Sequence, residues 1–95
     1  MNAAAQAVRD VQSENHYYRV TRWVLPAGAT TGPDQDEHRA TILPSGTGRL
    51  LLKKPDGEQC IRAVAGQPIE IERGTGRELV NDSEHALSFM MIEFK

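Results

Sequence analysis

The chain has 95 residues and a mass of 10.5 kDa, which leaves room for one domain and excludes a multidomain enzyme. Hydrophobic residues make up 39% and charged residues 25%, too apolar a mixture for a wholly disordered chain. The net charge of −2, with no basic block, argues against a nucleic-acid partner, and no run of eighteen apolar residues exists to cross a membrane. A chain this short buries only about 60% of its unfolded surface, so a homodimer is the expected assembly. Residues 1–15 lack the basic start and apolar centre of a secretory signal, so the expected compartment is the cytoplasm. The single cysteine, Cys60, excludes an intramolecular disulfide and a cysteine-based zinc site, and is expected as a packed strand thiol.

Residues 1–15 are Ala-rich, with Val8 and Val11 at helical spacing, and read as an N-terminal arm or short helix. The domain proper is expected over 16–95. In RVTRWVL, Val20, Arg22 and Val24 alternate with Thr21, Trp23 and Leu25 at strand period, and Pro26, Ala27 and Gly28 close the strand. Residues 29–37, with Gly32, Pro33 and three acids, suit neither a helix nor a central strand. Further strands are expected at 38–43 and 49–53. The Asp56-Gly57 pair marks a hairpin that returns through QCIRAV. PIEIE, RELVN and the apolar LSFMMIEF complete about seven short strands separated by turns. That pattern predicts an all-β sandwich or barrel. An immunoglobulin-like sandwich is the competing fold, without its Cys…Trp…Cys arrangement.

The glycine spacing narrows the choice. Gly28 and Gly48 bracket a segment with Asp34, Asp36 and Thr41 at fixed offsets; Gly66, Gly74 and Asn81 form a second set that includes Arg77. These positions resemble the two motifs of the cupin family, and the segments TRWVLPAG, VAGQPIEIERGTG and LVNDSEH resemble its small single-domain members, which include proteins of β-alanine degradation. The resemblance covers residues 16–95 and implies a double-stranded β-helix, a jelly-roll barrel. It also implies a metal site of three His and one Glu. Here Asp34, Asp36, Thr41 and Arg77 stand at those four positions.

Arg77 stays protonated and only donates, so it cannot ligate a metal and would repel one. No metal and no other cofactor is therefore expected. Asp34 and Asp36 share a face of an extended segment, and the family geometry would bring Arg77 to them as the occupant of the metal position, forming a salt-bridged plug or a ligand-orienting cluster. The resulting expectation is a metal-independent small-molecule binding or accessory domain, with Asp34, Asp36, His38, Thr41 and Arg77 at the ligand. One alternative is an enzyme acting on a small organic acid, amino acid or carbonyl compound, with Arg77 as anchor and Asp34 or Asp36 as base. Another is a metal-dependent dioxygenase or isomerase using Asp34, Asp36 and His38. Trp23, Phe89 and Phe94 are expected as core or interface anchors, and Tyr17 and Tyr18 as possible edges of the pocket.

Overall fold

The structure, a computed structural model, describes residues 6–34 and 36–95. Eight strands follow in order: β1 (Val8–Glu14), β2 (Tyr18–Leu25), β3 (Arg39–Pro44), β4 (Gly48–Lys54), β5 (Gly57–Ala63), β6 (Ile69–Ile71), β7 (Glu78–Asn81) and β8 (Leu87–Phe94). They form a five-stranded sheet in the order β1-β2-β8-β3-β6 and a three-stranded sheet in the order β5-β4-β7, with every pairing antiparallel. This is the all-β, double-sheet architecture expected from the strand and turn pattern. Among the described residues no helix is long and apolar enough to cross a membrane.

The core follows from side-chain alternation. On the larger sheet Trp23 and Leu25 of β2, Ala40 and Ile42 of β3, and Leu87 and Phe89 of β8 point inward. On the smaller, Leu50, Leu52, Ala63 and Leu79 do. Trp23 lies directly opposite Phe89, so the two largest core side chains meet across neighbouring strands. Gly48 is required for space rather than for a turn, since a Cβ there would meet the Ser83 Oγ at 2.6 Å. Gly28 and Gly66 do occupy the left-handed region, with φ of 79° and 78°.

Two expectations are corrected. Residues 8–14 form a strand, not a short helix. The helical spacing of Val8 and Val11 is instead absorbed by antiparallel pairing with β2, which shifts register between Val11 and Ser13. Within β1, Arg9 and Val11 lie opposite the inward residues Trp23 and Thr21, whereas Val8 lies opposite Val24 on the outer face. The Ala run at 3–5 lies outside the described residues. Cys60 is exposed rather than packed: it stands opposite Leu51 on the outer face of the smaller sheet, where β5 is covered by no other strand.

Residues 28–34 are not an open loop. The Gly28 N–H donates to the Asn81 carbonyl, Thr31 to Leu79 and Asp34 to Arg77, while Gly76 donates back to Asp34. The segment therefore runs antiparallel to β7 as an irregular margin of the smaller sheet. Buried Asn81 pins its start by donating to the Leu25 and His85 carbonyls and accepting from the Ser83 N–H. This stitching fixes where Asp34 projects.

Candidate functional site

A cavity of about 280 Å³ opens between the two sheets. Trp23, Leu52, Ile71, Leu79 and Met91 give it an apolar lining, while Arg9, Arg19, Arg77, Asp34, Asp36, Glu78 and Glu93 supply charge.

The charged wall is built at strand ends. Arg19 and Glu93 stand directly opposite each other on β2 and β8, at the same inward parity as Trp23 and Phe89. The Arg19 Nε donates to Glu93 Oε1 at 3.0 Å and its Nη2 to Glu93 Oε2 at 2.8 Å, a bidentate pair. The same Nη2 donates to Asp36 Oδ2 at 2.8 Å, and Nη1 lies 3.7 Å from Glu14 Oε2. Glu14 in turn accepts from Lys95 Nζ at 2.7 Å. Glu93, with Asp36 and the neighbouring charges, raises the Arg19 pKa above its ordinary value, so its charge is permanent. The Arg19 guanidinium holds the Asp36 carboxyl below the usual aspartate range.

Arg77 forms the second ion pair. Its side chain is only 5% exposed; Nη2 donates to Asp34 Oδ2 at 3.2 Å and to the His38 carbonyl at 2.6 Å, and Nη1 donates to the Glu72 carbonyl. Asp34 Oδ1 accepts the Asp36 N–H, which ties the two aspartates together. Ligand oxygens of Asp34, Asp36 and Glu93 all lie within 4.8 Å of one another.

Of the residues singled out in the sequence, Asp34, Asp36 and Arg77 converge on this cavity. Two do not. Thr41 lies on the outer face of β3, where its hydroxyl donates to Glu70 across to β6, because Ala40 and Ile42 hold the inward parity. His38 offers its main-chain carbonyl to Arg77, and its ring joins no metal-competent cluster among the described residues. Tyr17 and Tyr18 do not line the cavity, and Phe94 lies half-exposed with the Arg39 guanidinium 5.0 Å from its ring centroid. The site residues missed from sequence are Arg19, Glu93 and Arg9. The first two carried a signal, since each is a charge at the inward parity of a strand, in line with Thr21, Trp23 and Leu25 on β2 and with Leu87, Phe89 and Met91 on β8.

A divalent transition ion, which the cupin resemblance implies, does not fit these side chains. The cluster contains no imidazole, and each of its three carboxylates already accepts from a guanidinium. A metal would have to displace Arg19 or Arg77, neither of which can become neutral.

No family model matches the chain. Over its full length it is 35% identical to the Beta-alanine degradation protein BauB of Pseudomonas aeruginosa, with 100% of both chains covered. Among solved structures, a cupin domain from Bordetella pertussis is similar with a TM-score of 0.84 and 28% identity, covering 100% of this chain and 99% of that one. An RmlC-like cupin with a double-stranded β-helix fold from Methanocaldococcus jannaschii shares the fold, with a TM-score of 0.73 at 14% identity and coverage of 99% and 84%. The double-sheet all-β fold and the full-length similarity agree: this chain is a small cupin domain and belongs to the family of BauB.

Proposed function

We propose that the domain binds a small amphoteric molecule, an amino acid or a close derivative, without a metal. The observation that carries this reading is the pairing state of the groups around the cavity. Arg19 and Arg77 are consumed by internal partners. Among the described residues Arg9 has no carboxylate within ion-pair distance and Asp36 Oδ1 has no hydrogen-bond partner, on a side chain that is 42% exposed. One unpaired cation and one open carboxylate oxygen beside an apolar lining suit a ligand with an ammonium, a carboxylate and a short carbon chain. The name of the Pseudomonas relative supports testing β-alanine first. A binding role is favoured over catalysis because Asp36, held charged by Arg19, is a weak base near neutral pH.

Isothermal titration with β-alanine, propionate and propylamine tests the reading. β-Alanine is expected to bind better than either half-molecule, and Arg9→Ala and Asp36→Asn are each expected to weaken it. Ligand at about 100 times its dissociation constant should stabilise the fold by about 2.7 kcal/mol. Equal binding by both variants, with unchanged folding, would sink the proposal.

The assembly favoured is a homodimer through the outer face of the five-stranded sheet. Register places Val20, Val24, Met90, Ile92 and Leu43 together there, with Asp10 opposite Arg22 at the margin. A two-fold axis over this face can set Arg22 of one protomer against Asp10 of the other, so charge and apolar surface are both self-complementary. Light scattering should give twice the 10.5 kDa chain mass, and Leu43→Glu should halve it; a native mass of one chain would refute the dimer.

A further inference from the structure

We propose that the Arg19 guanidinium is the resident cation of this barrel, bridging Asp36 and Glu93 in the carboxylate cluster, completed by Asp34, that a divalent metal would otherwise take. Three carboxylates whose oxygens approach within 4.8 Å repel one another strongly unless a cation lies among them. Arg19 is placed to be that cation. Its Nη2 is 2.8 Å from both Asp36 Oδ2 and Glu93 Oε2, so one nitrogen bridges two members of the cluster. Arg77 completes the neutralisation at Asp34. The sequence alone placed Arg77 at both aspartates; the geometry gives Asp34 to Arg77, and Asp36 with Glu93 to a residue on β2.

The donor set fixes what Arg19 excludes. With the Arg19 guanidinium gone, Asp36 and Glu93 would be released beside Asp34, which Arg77 still holds, leaving a hard all-oxygen set with no nitrogen or sulfur ligand, suited to Mn²⁺, Mg²⁺ or Ca²⁺. Because a guanidinium does not deprotonate in a protein, raising the pH short of unfolding would not vacate the position. The inference uses the same carboxylates as the proposed binding role, but its test uses metal alone, so failure of the β-alanine titration leaves it standing.

Native protein and Arg19→Met are incubated with Mn²⁺ and desalted, and retained metal is measured by elemental mass spectrometry, with melting temperature recorded with and without Mn²⁺. Native protein is expected to retain none above buffer. Arg19→Met should retain close to one ion per chain and melt higher when loaded, and adding Asp36→Asn should abolish both effects. Near-stoichiometric retention by native protein would overturn the inference. So would a folded Arg19→Met that retains no more than the native chain. Should Arg19→Met not fold, nuclear magnetic resonance of the native protein decides: the Arg19 Nε–H signal should stay sharp during Mn²⁺ titration, and selective broadening of it would overturn the proposal.

Discussion

Thr21 and Asp36 show opposite ways in which one polar side chain sets the energy of this small fold. The Thr21 side chain is fully buried on the inner face of β2, and its Oγ1 has no hydrogen-bond partner among the described residues. An orphaned hydroxyl costs about 1–3 kcal/mol, whereas a methyl in the same space costs nothing in desolvation. Thr21→Val is therefore expected to raise stability by about 1 kcal/mol, read from the midpoint of urea unfolding. Asp36 acts through charge. Its pKa is lowered in the folded state by Arg19, so its contribution is fully present above the ordinary aspartate pKa of about 3.9 and is lost as pH falls through the lowered value. Melting temperature should accordingly fall below about pH 4, and Asp36→Asn should flatten that limb while leaving the slope near neutral pH unchanged. The two aspartates and Arg77 were legible in the sequence because a motif register names individual positions. Arg19 and Glu93 were harder to find because their partnership depends on which strand lies beside which, and strand spacing does not encode that order.

At the scale of elements, alternation made β2 readable, and short runs bounded by turn residues did the same for β4, β7 and β8; each buries one face, which a one-residue slip would expose. Thr41 was misplaced for a related reason: a motif offset counted through an irregular segment lost the parity of β3, which Ala40 and Ile42 set. β1 escaped detection because all seven of its residues are exposed and it carries no half-buried alternation to read. It is held by main-chain bonds to β2 along one side, by Glu14 near Arg19, and by inward-leaning Arg9 and Val11. Such an edge opens at lower free energy than the strands inside the sheet. Hydrogen exchange should show the amides of 8–14 exchanging well before those of β2 and β8 that bond one another; equal protection across all three would mean that another surface covers β1. Since Arg9 rides on this strand, opening of β1 also withdraws a cationic group from the cavity.

The whole molecule shows how a chain with few buried residues makes one core serve two sheets. The inner faces share one apolar cluster, and Trp23, Leu52, Ile71 and Leu79 of that cluster also line the charged cavity. The fold class was legible because turn residues punctuate the chain so regularly; the cavity's chemistry was only half legible, since it is assembled from β1, β2, the 28–36 segment, β7 and β8, which lie far apart in sequence.

The position of β8 also governs how the molecule can be assembled. β8 lies between β2 and β3, yet every other strand precedes it in the chain. The hairpin of β4 and β5 can form from neighbouring residues as soon as they are made, but the larger sheet has no centre until residues 87–94 arrive, and Arg19 waits without Glu93 until then. Until then β2 can pair only with β1 and β3 only with β6, and the edge that each will give to β8 stays open. Closing so many distant pairings places refolding on the scale of milliseconds to seconds typical of non-local β topologies, which stopped-flow fluorescence of Trp23 would measure.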